Sequence, residues 1–195
     1  MIHPKTEVQH ISESIGYGVV ATALIPAGTI TWVLDKFDQE FTPSELQSLE
    51  PIYQNILDTY SFRNNRGHFI LCWDNGRFVN HSFKSNCLTT AYDFEIAIRD
   101  IYPGEQLTDD YGYLNISEPF EGIDEGTQRK VLYPDDLITY HEVWDGKINK
   151  VFGHITKVDQ PLRPLITDDL WNKVTRVNEG KEKMDSILKN YFKEG

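Results

Sequence analysis

The chain has 195 residues, of which 39% are hydrophobic and 12% aromatic, so it can bury the core of one domain with a modest appendage. Its 30 acidic and 19 basic residues give a net charge of −11, which disfavours direct binding to nucleic acid and favours cationic partners. Two cysteines are too few for a disulfide framework, and no segment has the apolar length of a membrane span or the core of a signal peptide, so we expect a cytoplasmic protein, or a nuclear one in a eukaryotic or host cell.

The first part of the chain is predicted to form short β-strands. Its apolar segments are rich in β-branched and aromatic residues, and Pro-Gly turns separate them. Phe94, Ile96 and Ile98 share one face of such a segment, while Glu95 and Arg99 lie on the other, as in a half-buried strand. We predict strands over residues 19–23, 29–34, 68–73, 88–92, 94–99 and 106–108.

A helical insert near residues 43–58 interrupts these strands. Thr42-Pro43-Ser44-Glu45 has the pattern of a capping box with proline at the first helical position, so a helix should begin there. Pro51 divides the insert into two helices, because proline disrupts a helix interior.

The character of the chain changes after about Tyr113. Residues 115–126 are polar and rich in turn formers, which predicts a linker. Apolar stripes at helical spacing then predict three helices that pack on a core, and Thr167 is placed to cap the second. These patterns cover residues 137–155, 170–177 and 184–192.

Three short segments carry residues suited to chemistry. Gly16-Tyr17-Gly18 lets the backbone approach a ligand closely because glycine has no Cβ, although an ordinary strand-entry turn has the same pattern. Asn80-His81 offers donors and acceptors for an amino acid's charged groups, although each residue also suits a structural role. Tyr111-Gly112 follows a short strand, where the tyrosine hydroxyl can face a cleft or cover a core.

Taken together and in this order, the three segments resemble the SET domain. That family shows a Gly-x-Gly near its start, then Arg-Phe-x-Asn-His-Ser-Cys-x-Pro-Asn, then Arg-Asp-Ile-x-x-Gly-Glu-Glu-Leu-Thr-x-Asp-Tyr-Gly. Tyr60-Ser61-Phe62 is similar to the Tyr-x-Phe that precedes the Asn-His segment in many relatives. The resemblance covers roughly residues 8–113, and the two long motifs are matched at Arg77, Phe78, Asn80, His81, Ser82, Asn86, Arg99, Asp100, Ile101, Gly104, Glu105, Leu107, Thr108, Asp110, Tyr111 and Gly112.

The resemblance implies a fold class and a division of the chain. It implies a mainly β fold with α-helices, in which small β-sheets form the SET fold and the Asn80 and Tyr111 segments cross in a pseudoknot, an exception to the rule against threaded chains. The SET domain would comprise residues 1–115. Residues 116–195 would form a helical C-terminal region packed on it.

The resemblance also implies a methyltransferase that uses S-adenosylmethionine and modifies the lysine amine of a protein substrate, which for an acidic enzyme suits a basic tail. Tyr111 and Tyr60 would be catalytic, and Tyr60, Phe62 and Asp109 would form the lysine channel. Burial beside a sulfonium lowers the pKa of the lysine amine, so water would suffice as proton acceptor. No metal is implied, the oligomeric state stays open, and the cofactor would be held by Gly16, Tyr17, Gly18, Asn80, His81 and Tyr111.

Several residues depart from the family motifs. Phe83 and Ser85 replace the usual cysteine and proline, and Gln106 replaces the second glutamate. Asp109 stands two residues before Tyr111, where many relatives carry an aromatic residue that limits the number of methyl groups. The number of methyl groups that this chain adds is therefore open.

The zinc-binding cysteines that cover the channel in many relatives do not follow Phe120. We therefore expect the helical tail, with Trp144, Phe152 and Trp171, to close the channel, since methyl transfer needs a site without water. Two alternatives remain: a degenerate SET fold that acts as a binding module, and a methyltransferase that acts on a small-molecule amine.

Overall fold

The computed structural model describes residues 1–193, in which short strands alternate with helices and long loops. The strands are β1 (Thr6–Ser12), β2 (Gly16–Ala21), β3 (Ile30–Val33), β4 (Gln39–Phe41), β5 (Ser61–Arg63), β6 (Phe69–Leu71), β7 (Asn80–His81), β8 (Cys87–Thr89), β9 (Phe94–Ala97), β10 (Thr108–Asp109), β11 (Phe120–Glu121) and β12 (Val131–Leu132). The α-helices are α1 (Pro43–Ser48), α2 (Pro51–Tyr60), α3 (Asp136–Phe152) and α4 (Asp168–Asn178), and short 3-10 helices lie at Asn75–Phe78, Tyr111–Tyr113, Arg163–Leu165 and Ile187–Asn190.

The strands form several small sheets. β1 pairs with β2, and β11 with β12, both antiparallel. Two three-stranded antiparallel sheets have the orders β4-β6-β5 and β3-β9-β8. β7 and β10 pair in parallel. The predicted class, small β-sheets with helices, is confirmed.

Each predicted strand overlaps an observed one, although its ends shift by a few residues. The pattern missed β1, β4 and β5, and it also missed the two-residue strands β7, β11 and β12. β1 and β4 are mostly exposed or half-buried, so they lack the apolar alternation that marks a strand in the sequence. β5 has three residues and follows α2 directly, which leaves it too short to show a period.

The helical insert forms as predicted. Thr42 Oγ1 accepts a hydrogen bond from the backbone N–H of Glu45 at 3.2 Å, and Glu45 Oε2 accepts one from the Thr42 N–H at 2.7 Å. These two bonds complete the capping box. α1 ends at Ser48 and α2 begins at Pro51, so the proline does divide the insert.

The third predicted helix of the tail is wrong. Only Ile187–Asn190 is helical, as one 3-10 turn. Other elements supply the hydrogen bonds that a helix would have supplied itself: the Ile187 N–H donates to Asp145 Oδ1, and the Phe192 N–H donates to Asn115 Oδ1, both at 2.9 Å. Tertiary contacts therefore override the helical apolar pattern.

The predicted linker is also wrong in part. Asn115, at its start, is buried with a positive φ of 52°. Its Nδ2 donates to the backbone oxygens of Arg63 and Asn190 at 3.0 and 2.8 Å, so it ties β5 to the end of the tail. Farther on, β11 pairs with β12 in a hairpin, and residues 116–135 contain no α-helix.

The β3-β9-β8 sheet has a different environment on each face. Phe94 and Ile96 pack into a core with Trp144, Ile148 and Phe152 of α3. The opposite face borders a second core, which is formed by buried residues of the strands and loops that include Val19, Ile25, Trp32, Ala97 and Leu107. The C-terminal helices and the strand-rich part thus share one continuous core.

Gln160 reinforces this attachment. Its Oε1 accepts a hydrogen bond from the Ile30 N–H at 2.8 Å, and its Nε2 donates to the Gly28 and Ile155 oxygens at 2.8 and 2.9 Å. One side chain thereby joins β3 to the loop after α3. Within residues 1–193 no helix is long and apolar enough to cross a membrane.

The shared core predicts that a cavity in α3 destabilises the whole chain. Ile148→Ala should lower the free energy of unfolding by about 3 kcal/mol, because the fully buried side chain leaves a cavity. Val143→Ala, at an exposed position of the same helix, should change it by less than about 0.5 kcal/mol. Urea unfolding followed by circular dichroism and by tryptophan fluorescence should show one shifted transition. Two transitions, of which only one shifts, would contradict a shared core.

Candidate active site

The parallel pair β7–β10 brings together two segments that are far apart in the sequence. Asn80 lies opposite Thr108, and His81 lies opposite Asp109. The Asn86 side chain supports the pair: its Nδ2 donates to the Gln106 oxygen at 2.7 Å, and its Oδ1 accepts from the Thr108 N–H at 2.9 Å. Asn86 therefore fixes the approach to Tyr111, which lies two residues after the end of β10.

Tyr111 is held at both its backbone and its side chain. Its hydroxyl donates to the Val79 oxygen at 2.6 Å, and its backbone N–H donates to His81 Nδ1 at 3.2 Å. Burial raises the pKa of the phenol well above its usual range, with further contributions from Asp109 and Glu95. Tyr111 therefore stays neutral, with its hydroxyl fixed in direction.

A cavity of about 740 Å³ lies beside Tyr111. Its lining includes Tyr60, Phe62, Asp109 and Tyr111, so the structure brings together the residues that the sequence assigned to catalysis and to the lysine channel. The Tyr60 ring packs edge-on against Phe78 at 5.5 Å between centroids. The cavity therefore has partly aromatic walls.

The residues that were assigned to the cofactor form a second cluster. Asn80 Nδ2 donates to the Tyr17 oxygen at 3.0 Å and to Gln106 Oε1 at 3.1 Å. A Cβ on Gly18 would stand 2.5 Å from Gln106 Oε1 and 2.7 Å from Asn80 Nδ2, so any larger residue would displace these two side chains. Gly16, Tyr17, Gly18, Asn80 and His81 are all described, and none of them lines the cavity. Tyr111 connects the two places, since it contacts His81 and lines the cavity.

His81 lies among aromatic rings. The rings of Phe83, Tyr111 and Phe120 surround it at 4.5, 5.4 and 5.9 Å between centroids. Burial lowers the pKa of His81, so the ring is neutral, and Nδ1 accepts from Tyr111. Nε2 therefore carries the hydrogen, yet it is buried and has no partner within residues 1–193. A Cβ on Gly122 would lie 3.0 Å from this nitrogen, so the loop after β11 covers the imidazole.

Arg129 connects the β11–β12 hairpin to the segment that precedes Tyr111 and to the first residue of α3. Its guanidinium pairs with Asp110 and with Asp136, both at 2.5 Å and both buried. Trp144 Nε1 also donates to Asp110 Oδ2 at 3.2 Å. No sequence pattern marks this network, because Arg129 and Asp136 both lie outside the family motifs.

Two carboxyl groups meet at the cavity. Glu95 extends from the middle of β9, on the face opposite Phe94 and Ile96, and Asp109 extends from β10. Both line the cavity, and their carboxyls lie within interacting distance. The sequence placed Glu95 on the polar face of its strand, but a pattern cannot distinguish bulk solvent from a cavity.

The carboxyl pair shares a proton. Burial raises the pKa of Asp109 to about 6 and that of Glu95 well above its usual value, and the charge of Asp109 raises the pKa of Glu95 further. Two carboxylates in contact do not both ionise readily, so the pair carries one negative charge near neutral pH. Asp109 Oδ1 is buried from solvent and completes no hydrogen bond of ordinary geometry within the described residues, although the Tyr113 hydroxyl lies close to it.

The comparison with protein families decides the classification. A family model described as the SET domain matches residues 16–112. The chain belongs to the SET-domain family. The match begins at Gly16 and ends at Gly112, so it contains every site residue that the sequence predicted. The curated proteins contain no match to the chain. Members of this family are generally lysine methyltransferases, and they typically use S-adenosylmethionine.

The groups around Asn80 suit the amino-acid part of S-adenosylmethionine. Asn80 Oδ1 has no hydrogen-bonding partner within the described residues and can accept from an ammonium group. The neighbouring backbone of Gly16 and Tyr17 is half-buried to exposed and is not covered by a bulky side chain at position 16. His81 Nε2 does not contribute in this arrangement, because Gly122 and Phe83 cover it. Among residues 1–193 no cluster of His, Cys, Asp or Glu suits a metal ion.

The expectation that Trp144, Phe152 and Trp171 close the channel of this SET domain is wrong. Trp144 and Phe152 belong to the core on the other face of the β3-β9-β8 sheet, and Trp171 packs against the same core. The cavity wall comes from residues 114–120 and from Asn190 instead. A loop and the chain's last 3-10 turn thus occupy the position for which the sequence suggested helices.

The raised pKa of Asp109 predicts a stability that falls as pH rises. The folded protein keeps a proton on Asp109 up to about pH 6, whereas the unfolded chain releases it near pH 4. Between these values the folded state binds more protons, so its stability decreases with increasing pH. From pH 4 to 7, the free energy of unfolding of the wild type should fall relative to that of Asp109→Asn.

Urea unfolding at a series of pH values measures this difference. Asp169→Asn, at an exposed position of α4, is the control and should run parallel to the wild type. Glu95, Asp110, Tyr111 and Tyr113 also interact with Asp109 and remain in both proteins. A difference curve that is flat or that rises with pH would show that Asp109 is not protonated in the folded protein.

Proposed function

We propose that this SET-domain chain is an S-adenosylmethionine-dependent methyltransferase that acts on the lysine side-chain amine of a protein. The observation that carries the proposal is the position of Tyr111. It lines the cavity together with Tyr60, Phe62 and Asp109, and its backbone contacts the strand that holds Asn80 and His81. An amine in the cavity and a cofactor at Asn80 would therefore meet at Tyr111.

Asn80 and the Gly16–Gly18 backbone would hold the cofactor. Asn80 Oδ1 can accept a hydrogen bond from the cofactor's ammonium group, while its Nδ2 stays bonded to the Tyr17 oxygen. Because Asn80 Nδ2 donates to the Tyr17 oxygen, the two binding segments are joined directly. When bound, S-adenosylmethionine supplies a methyl group with partial positive charge.

Tyr111 would orient the reacting groups. Its hydroxyl donates to the Val79 oxygen, so its lone pairs remain available to an N–H of the amine or to the polarised methyl group. Methyl transfer requires the nitrogen and the methyl carbon to lie in line, and a fixed hydroxyl limits the nitrogen to such positions. The fixed direction of the Tyr111 hydroxyl is therefore its contribution to catalysis.

The aromatic walls suit a lysine side chain. Tyr60 and Phe62 can pack along the four methylene groups and can attract the cationic head. Residues 114–120 form a further part of the cavity wall. The net charge of −11 favours a substrate with a basic segment. We propose that the enzyme acts in the cytoplasm or the nucleus.

Two measurements test this proposal. Calorimetry without added metal should show S-adenosylmethionine and its demethylated product binding at one site. Incubation of cell proteins with a methyl-labelled cofactor should then give labelled lysine in at least one protein. Cofactor binding without any labelled acceptor would favour the binding-module alternative, and label only in small amines would favour the small-molecule alternative. A chain that binds neither compound is not a methyltransferase.

Tyr111→Phe should lower the rate of methyl transfer about a hundred-fold, because one positioned hydroxyl is lost from the transition state. Cofactor affinity should stay within about three-fold of the wild-type value, since the hydroxyl acts mainly on the reacting groups. Tyr102→Phe, at an exposed position, is the matched control and should leave both quantities unchanged. A normal rate in Tyr111→Phe would contradict the assigned role.

Asn80→Ala should mainly lower the affinity for the cofactor, in contrast to Tyr111→Phe, which should mainly lower the rate of methyl transfer. Loss of its amide should weaken cofactor binding about ten-fold or more, because a hydrogen bond to a charged group and the support of the Tyr17 oxygen both disappear. Asn149→Ala, at an exposed position of α3, is the control. Calorimetric titration with the demethylated product measures the affinity. Unchanged affinity would place the cofactor away from Asn80.

A further inference from the structure

The carboxyl pair of Glu95 and Asp109 has no task in the function proposed above. Burying a carboxylate is unfavourable unless a cation or several donors compensate it. Within residues 1–193, no Lys or Arg forms an ion pair with either carboxyl. Asp109 Oδ1 completes no hydrogen bond of ordinary geometry, although the residue is only 4% exposed and the Tyr113 hydroxyl lies close to it. The pair therefore lacks a cationic partner in the described part of the chain, although both residues line the cavity.

We propose that Glu95 and Asp109 bind the ammonium group of the incoming substrate amine and accept its proton. The inference rests on the proposed function in that it takes the amine to be the group that is methylated. It adds Glu95 to the site, and it replaces water with a protein group as the proton acceptor.

The geometry favours an ammonium ligand over other ligands. The pair carries one negative charge and offers only acceptor oxygens apart from its shared proton, which repels anions and suits a group with several N–H donors. Tyr60 and Phe62, which line the same cavity, form an aromatic path for an aliphatic stem. Tyr111 lines the same cavity as both carboxyls, so a nitrogen bound to the pair would share that cavity with the proposed catalytic hydroxyl.

The proton transfer is balanced within the site. One N–H bond of the ammonium breaks, its electron pair stays on nitrogen, and the proton forms an O–H bond with the carboxylate oxygen of the pair. A cation and an anion become a neutral amine and a neutral acid, so a poorly solvated site favours the transfer more than water does. The amine then has the lone pair that methyl transfer needs.

The raised pKa values of both carboxyls support this role, because a more basic carboxylate is a better proton acceptor. Titratable groups from several elements influence the pair and are part of any pH response. They are Met1 at its amino group, Cys72, Cys87, Asp110, Tyr111 and Tyr113.

n-Butylammonium is a suitable probe, because it reproduces the stem and head of a lysine side chain. Calorimetry at pH 6, in two buffers with different ionisation enthalpies, measures its affinity and the protons released. Binding should release protons, since an ammonium group favours the ionised form of Asp109. n-Butyltrimethylammonium has the same charge but no N–H, and it should bind at least ten-fold more weakly. Both measurements use the unaltered chain.

A double isosteric variant tests the pair itself. Glu95→Gln combined with Asp109→Asn keeps the shape and removes the charge, so it should weaken n-butylammonium binding at least ten-fold and abolish proton release. Glu142→Gln combined with Asp169→Asn makes the same change of charge at exposed positions and should bind like the wild type.

The outcomes separate this inference from the proposed function. No n-butylammonium binding by the wild type, equal binding by the pair variant, or equal binding of the quaternary probe would overturn the inference, whatever the methyl-transfer assay gives. Pair-dependent binding with proton release supports it. If that result came from a chain that binds no S-adenosylmethionine, the amine site would stand and the proposed methyltransferase function would fall.

Discussion

The position of the whole site depends on the two-residue parallel contact between β7 and β10. A contact this short supplies few hydrogen bonds of its own, and the Asn86 amide adds two more by bonding the backbone of Gln106 and Thr108. Asn80, Asp109 and Tyr111 take their places from this contact. Asn86 therefore belongs to the functional motif because it aligns the two segments, and not because it touches a ligand.

The two faces of the β3-β9-β8 sheet have different roles, since one contributes to the core and the other to the cavity. One face is buried against α3, where Trp144 and Ile148 are almost fully covered, and the other face turns Glu95 toward the cavity. Strand alternation makes this possible, because neighbouring residues of β9 point in opposite directions. A single strand thus contributes Phe94 to the core and an ionisable carboxyl to the site.

Local signals in the sequence were sufficient for the capping box at Thr42, for the positions of half of the strands within residues 1–193 and for the family motifs. They failed where distant contacts determine the conformation. The stripe over residues 184–192 predicted a helix, but bonds from Asp145 and Asn115 hold that segment in another form. Arg129 gave no signal at all, since its partners Asp110 and Asp136 become neighbours only in the folded chain. The contribution of residues 114–120 to the cavity wall was missed for the same reason.

The central claim is that cofactor and substrate amine meet at Tyr111 from two different sides. A crystal structure of the chain with the demethylated cofactor, S-adenosylhomocysteine, tests it most directly. The amino-acid part of the ligand should contact Asn80 and the Gly16–Gly18 backbone, and its sulfur should point past Tyr111 into the cavity that Glu95 and Asp109 line. A ligand bound elsewhere, or with its sulfur directed away from that cavity, would contradict the account.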